Sequence, residues 1–336
     1  MINYVSSGEK PYFVAEMNSS HMGNFENAKQ MIYEAKRVGC DAVKFQSWSA
    51  ESLYSDGYYK CNPMAKRFVD KFSLSDEQMI ELSKVCKEVG IGFSSTPYSN
   101  HEVDILVEKC DVDFIKIASM EINNHPFLDY IARKNKPIIL STGMSDIEEI
   151  RRAVEVIKNA GNNRICILHC VSLYPVNMKD VNLNNILLFE DTFPDCEVGY
   201  SDHTIGNIAA VGAVAMGASV IEKHFTLDNS RIGWDNQMAT EPDSMKEMID
   251  FCTDVYSALG NRERVVSETE IEQRKKMRRS IVSKRKLEAG EIITAESIEF
   301  KRPGNGLSPE MVSKVVNKQL KKNLEKGEMI LMEDVE

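Results

Sequence analysis

The amino-acid sequence predicts an α/β protein: a (β/α)8 TIM barrel followed by a small β-rich domain. Three observations carry this. Eight short apolar segments recur along residues 1–226. Stretches with a 3.6-residue apolar period separate them, as parallel β/α units require. Nearly every apolar segment also ends in a polar residue able to do chemistry. A merely buried parallel strand has no reason to end in lysine or histidine, whereas the carboxyl rim of a barrel does.

The expected strands are Tyr12–Asn18, Ala42–Trp48, Gly92–Tyr98, Phe114–Ser119, Pro137–Thr142, Ile165–Val171, Cys196–His203 and Val220–Thr226. Near their ends stand Glu16, Lys44 and Gln46, Ser95 and Thr96, Lys116 and Ser119, Ser141 and Thr142, Ser172, Ser201 and His203, and Glu222 and His224. Between strands, Asn24–Val38 places Phe25, Ala28, Met31, Ile32, Ala35 and Val38 on one helical face and stops at Gly39. Ser75–Val89 opens on Ser-Asp-Glu, an N-cap signature, and closes at Gly90. Ser145–Ala160 opens with Ser145 and Glu148 at capping-box spacing. Gly206–Met216 and Asp243–Leu259 follow the last two strands. The insertion Glu51–Phe72 reads as a long loop on the catalytic rim, a lid or substrate wall.

The barrel is expected to span residues 1–260, with a charged, helical linker over 261–279 and a second domain over 280–336. In that domain LEAGEIITAESI (287–298) matches LEKGEMILMEDV (324–335) at a 37-residue offset. Two such units suit a β-rich domain with pseudo-twofold symmetry, because a solenoid needs about three repeats.

A chain that is 43% hydrophobic and 27% charged has an ordinary globular composition. No apolar run approaches the ~20 residues that span a bilayer, so no membrane partner is expected. The opening MINYVSSGEKPYF lacks the charged-then-apolar pattern of a secretory signal. The eight cysteines form no CxxC pair, and several fall in apolar segments. They read as reduced core thiols of a cytoplasmic protein. Net charge is −10, but residues 274–336 carry fifteen Lys/Arg against ten Asp/Glu, and the rest 26 against 41. An acidic body argues against nucleic-acid binding, and a basic tail suits docking on an acidic surface. Neither GxGxxG nor GxxxxGKS/T occurs, so nucleotide binding has no support.

His203 and His224 end neighbouring strands, which run ~4.8 Å apart. Their imidazoles could converge on one divalent cation and leave coordination positions open for substrate oxygen. Nitrogen donors suit Mn²⁺, Zn²⁺, Fe²⁺ or Co²⁺ better than Mg²⁺ or Ca²⁺. The alternative is that each histidine only hydrogen-bonds a rim carboxylate. Lys44 and Lys116 sit inside strands, where a lone ammonium is costly. They call for a bound phosphate or carboxylate, a Schiff base, or an ion pair with Glu16 or Glu121. Ser119, Ser141 and Ser201 could clamp phosphate oxygens beside the lysines or simply cap helices. Glu16, Glu121 and Asp235 could orient a polyol or move a proton. Arg302, in KRPGNG, is presented on a stiff tip suited to a bidentate anion contact.

Together AEMNSSHMGN, AVKFQSW, FSSTPYS, FIKIASME, ILSTGM, HCVSLYP, VGYSDHT, IEKHFTLD and KRPGNG resemble the N-acetylneuraminate (sialic, legionaminic and pseudaminic acid) synthase family over essentially the whole chain. The tail resembles the antifreeze-like (SAF, β-clip) domain of these enzymes. The resemblance implies a transferase that condenses phosphoenolpyruvate with the aldehyde of an N-acylated amino sugar. It implies that His203 and His224 hold a divalent metal, usually Mn²⁺. Lys44, Lys116, Ser119, Ser141, Ser172 and Ser201 would bind phosphoenolpyruvate. Gln46, Thr96, Glu121 and Asp235 would bind the sugar, with Tyr174 in its pocket and Glu16 as acid/base. Arg302 would reach the sugar's N-acyl group from the other subunit of a domain-swapped homodimer. EMNSSH where sialic acid synthases read EIGINH, Ser172 where some members have Asn, and the insertion after strand two depart from the sialic acid synthase pattern, and FSSTP and IEKHFTLD lean toward the pseudaminic and legionaminic branches. A Schiff-base aldolase and a non-catalytic carbohydrate- or ice-binding protein are the rival readings. Residues 284–336 hold a single threonine, Thr294, too few for an ice-binding face.

Overall fold

In a computed structural model, residues 4–6, 9–261 and 263–336 are described. Parts of the opening segment and residue 262 of the expected linker fall outside these. The chain divides into two compact units, Met1–Gly260 and Asn261–Glu336.

The first unit is the barrel. Its strands are β1 (Tyr12–Glu16), β2 (Ala42–Ser47), β3 (Gly92–Pro97), β4 (Ile115–Ile117), β5 (Ile138–Ser141), β6 (Ile165–His169), β7 (Glu197–Asp202) and β8 (Val220–His224). All pairings are parallel, in the order β3-β2-β1-β8-β7-β6-β5-β4. The ring closes where the Asp113 amide donates to the Phe93 carbonyl at 3.2 Å and Ser94 Oγ to the Phe114 carbonyl at 2.7 Å. Each strand stops one or two residues short of its apolar run. The polar residues beyond, such as Ser119, Ser172 and His203, leave the ladder and turn over the rim.

Helix boundaries follow local chemistry. Phe25–Val38 is capped by Asn24 and ends at Gly39, whose φ of 97° only glycine adopts freely. Asp76–Val89 carries a full capping box between Ser75 and Gln78. The helix after β5 begins one residue later than the Ser145–Glu148 spacing predicts. Asp146 caps Ile147–Asn159 and pairs with Glu149, while Ser145 Oγ donates to the Gly143 carbonyl. A carboxylate accepts more strongly than a hydroxyl at a helix's positive end, so the shifted register wins. The insertion after β2 is helical where a loop was expected. Ala50–Leu53, Asp56–Cys61 and Pro63–Phe72 are capped by Ser49, Ser55 and Asn62. They pack a separate apolar cluster on Trp48, Val69 and Phe72.

The second unit has a helix, Glu268–Met277, in the expected linker, then a hairpin of β9 (Ser280–Ser283) and β10 (Ile298–Lys301). Its repeats pair reciprocally: Leu287 and Leu324 exchange backbone hydrogen bonds at 2.9 Å. Gly290 and Gly327 turn at φ 89° and 84°, and 3₁₀ turns recur at Ala295–Ser297 and Met332–Asp334. The 37-residue offset is thus a structural pseudo-dyad. All eight cysteines are free, with Cys61 alone exposed. Among the described residues no helix is long and apolar enough to cross a membrane.

Candidate active site

The carboxyl ends of the barrel strands surround a cavity of about 550 Å³. Glu16, Lys44, Gln46, Thr96, Lys116, Ser119, Ser141, Ser172, Tyr174, Ser201, His203, His224 and Asp235 all line it. One expected residue of this unit does not. Glu121 is half-buried and accepts a hydrogen bond from Asn124 Nδ2 at 2.7 Å, because the 3₁₀ turn Ser119–Glu121 carries its side chain off the rim. Arg302 lies exposed in the second unit.

The floor is a charge cluster. Strand alternation turns Glu222 and His224 of β8 inward together and Lys223 outward, where it pairs with Asp202 at 2.6 Å. Glu222 sits 3.7 Å from Lys44 Nζ and 3.5 Å from Lys116 Nζ, and accepts from Ser201 Oγ at 2.9 Å. Lys44 also contacts Glu16 Oε2 and donates to Thr96 Oγ1 at 3.2 Å, while Lys116 donates to Ser141 Oγ at 2.7 Å. The ion-pair reading of the lysines therefore holds for both, with Glu222 as the shared partner and Glu121 taking no part. Burial works to raise the Glu222 carboxyl, but Lys116, Lys44 and the Ser201 hydroxyl outweigh it and hold it down at about 2. Burial pushes Lys44 down to about 7 against the pull of Glu222, and the like charge of Lys116 pushes the same way. None of the three serines caps a helix: Ser119 Oγ accepts from the Gly143 amide at 2.9 Å, and the other two serve the charge cluster.

At the rim the His203 and His224 rings are 5.4 Å apart, with Tyr174 4.3 Å from His203. His203 Nδ1 donates to the Val171 carbonyl at 2.7 Å, which leaves Nε2, 3.4 Å from Ser201 Oγ, as the nitrogen able to take a cation. Burial, reinforced by His224, lowers His203 to about 4, so the ring is neutral. His224 Nδ1 lies 2.7 Å from Asp235 Oδ2. Asn18 Oδ1 and Asp235 Oδ1 are buried here without hydrogen-bond partners. Among the described residues no three His, Cys, Asp or Glu side chains gather as a metal cage. Two imidazoles whose ring centres lie 5.4 Å apart nevertheless suit one cation, the remaining positions falling to substrate or water.

Glu16 Oε1 accepts from the Asn18 amide at 2.8 Å and Gln46 Nε2 at 3.1 Å, and Tyr98 donates to Gln46 Oε1 at 2.9 Å. Sequence reasoning placed Glu222 at the rim without giving it a role, and passed over Asn18 and the aromatic residues Trp48, Tyr54, Tyr98 and Trp234; all of these line the cavity. For Glu222 the signal existed: it precedes His224 by two positions and shares its face.

Residues 31–264 match the NeuB family and residues 278–336 the SAF domain. The chain belongs to the NeuB family. It is 40% identical to an uncharacterized protein of Methanocaldococcus jannaschii, over 99% of this chain and 96% of that one. It is 37% identical to the N,N'-diacetyllegionaminic acid synthase of Legionella pneumophila, over 97% of this chain and 94% of the relative. The solved N-acetylneuraminic acid synthetase of Leptospira borgpetersenii, in complex with citrate, is similar with a TM-score of 0.74 and 30% identity, over 79% of this chain and 90% of that one. This NeuB-family chain thus sits among sialic, legionaminic and pseudaminic acid synthases, and it carries their barrel and SAF domain in a single polypeptide.

Proposed function

We propose that this NeuB-family protein condenses phosphoenolpyruvate with the open-chain aldehyde of an N-acylated amino sugar, giving a nine-carbon 2-keto acid and inorganic phosphate. One observation supports this above the others: two buried ammonium groups and a pair of neighbouring imidazoles share one cavity. A trianionic three-carbon substrate needs the first, and an aldehyde awaiting attack needs the second.

Lys44 and Lys116 meet the phosphate and carboxylate, with Ser119, Ser141, Ser172 and Ser201 supplying hydroxyl donors. His203 and His224 would hold a divalent ion, manganese being our choice, which when bound polarises the aldehyde oxygen. The enol carbon and aldehyde carbon must come within about 3–3.5 Å. The carbon–carbon bond forms between them, water adds at C2, and the C2–O bond to phosphate breaks. Glu16, held by Asn18 and Gln46, takes the proton from that water and supplies one to the new alkoxide. Gln46 and Asp235 face sugar hydroxyls, while Thr96 serves Lys44. Arg302 would act from the second copy of a domain-swapped homodimer.

Phosphate release tests this. It is expected only when phosphoenolpyruvate and an acceptor are present together, and it should stop on chelation. Equal release from phosphoenolpyruvate alone would rule the condensation out. The lowered Lys44 favours a second reading, a Schiff-base aldolase. Borohydride trapping of a 2-keto acid on Lys44 would establish that one instead.

A further inference from the structure

Asp202 and Lys223 form the last rung between β7 and β8. His203 and His224 are the next residues on the two chains, and no β7–β8 pairing holds them side by side. What joins the two ends is an ion pair on the outer face of the barrel. Lys223 Nζ lies 2.6 Å from Asp202 Oδ2 and donates to the Thr204 carbonyl at 2.9 Å. One ammonium thus grips the chain on both sides of His203, while its own backbone leads directly into His224. Asp202 Oδ1 accepts from the Thr204 amide at 2.8 Å and from the Tyr200 hydroxyl at 3.2 Å, which closes the turn around His203. The lysine side chain is 2% exposed and the carboxylate 0%, and neither borders the cavity.

We infer that Asp202 and Lys223 are positioning residues, a clamp that sets the spacing and facing of His203 and His224 for a shared cation. This rests on the metal role proposed above for the two histidines. Stability does not account for the pair. Desolvating two charges offsets much of their attraction, and well-packed uncharged side chains in their place are often as stable. A register device does account for it. A slip by one residue turns every side chain of a strand to the other face, which here sends Lys223 into the barrel and His224 out of it. The pair penalises that slip, because each buried charge loses its partner. It also fixes the separation of the imidazoles, and a misplacement of about 1 Å at a reacting site can cost about 100-fold.

The test is manganese binding by the full-length protein, measured calorimetrically alongside its melting temperature. The double variant Asp202→Asn with Lys223→Met removes both charges and nearly keeps both volumes. It is expected to melt close to the parent but to bind manganese about tenfold more weakly or worse. In steady-state assays the manganese concentration that gives half-maximal rate should rise by the same factor. KM for phosphoenolpyruvate, assigned to lysines from β2 and β4, should stay unchanged. Lys223→Met alone leaves a buried carboxylate unpaired and should melt earlier than the double variant. Unchanged manganese affinity in the double variant would overturn the clamp, since the histidines would then keep their places without the pair. A melting temperature as low as that of Lys223→Met, or equal losses for manganese and phosphoenolpyruvate, would overturn it too, because the pair would then serve stability alone. Absence of manganese binding by the parent would instead overturn the metal role of the histidines.

Discussion

Asp235 Oδ2 lies 2.7 Å from His224 Nδ1, so the rim histidine has a carboxylate behind it as well as His203 beside it. Asn18 Nδ2 donates to the same Asp235 oxygen. Burial alone would raise the Asp235 carboxyl, yet His224 and Asn18 hold it below its usual range. A carboxylate so placed fixes ring orientation and raises ligand basicity. Asp235→Asn is expected to weaken manganese binding by about 10–100-fold with little change in the fold. Calorimetric titration with manganese checks this, and unaltered affinity would remove Asp235 from the site.

Glu222 is the counter-ion that two lysines share, and Glu222→Gln leaves Lys116 without its carboxylate and Lys44 with Glu16 alone in a buried floor. Breaking a buried pair in this way costs about 3 kcal/mol or more. The variant should therefore melt earlier than the parent. Phosphoenolpyruvate brings back negative charge, so it should raise the melting temperature of Glu222→Gln more than that of the parent. Equal ligand-induced shifts in both proteins would show that the anion does not bind between the lysines.

How much of this was legible in sequence depends on distance along the chain. The strands were visible as apolar runs with polar ends, and the first two helices from Asn24 and Ser75 through their glycine stops. The cap before Ile147 was ambiguous because Ser145–Glu148 and Asp146–Glu149 both satisfy the spacing. The insertion carried cap signals at Ser55 and in Asn62-Pro63, but its lack of strand-flanking context made it read as a loop. Nothing local announces that one glutamate on β8 will meet lysines from β2 and β4. Nor does anything local show that Trp48 and Trp234, 186 positions apart, form one wall. Those contacts exist only once the barrel closes.

Gly143 lies where the loop after β5 passes the serines. A Cβ there would run into Ser172 Oγ and sit 3.0 Å from Ser119 Oγ and 3.1 Å from Cys170 Sγ. Gly143→Ala should displace the hydroxyls assigned to phosphoenolpyruvate. We expect KM for phosphoenolpyruvate to rise about tenfold while KM for the sugar changes little, in the manner of lost ground-state binding. Steady-state kinetics with each substrate varied in turn separates the two. Equal effects on both would place these serines elsewhere in the reaction.

His21 supplies a pH dependence independent of turnover. It is buried, and its Nδ1 accepts from the Gly23 amide at 3.1 Å, so a proton there has no place. Burial lowers the ring to about 4, against a backbone hydrogen bond at Asn18 that works the other way. The unfolded chain takes up a proton near pH 6.5, the native protein only near 4. The stability held by neutral His21 is therefore complete above 6.5, declines as pH falls from 6.5 to 4, and levels off below. At about 1.4 kcal/mol per pH unit, that span is worth about 3 kcal/mol. His203, lowered in the same direction, adds a parallel loss in the metal-free protein. Urea unfolding of metal-free protein at pH 7.5, 6, 5 and 4.5 should show this decline. His21→Gln should unfold more easily at pH 7.5 but lose about one proton from the slope of stability against pH. Identical slopes in the two proteins would mean that His21 titrates freely in the native state.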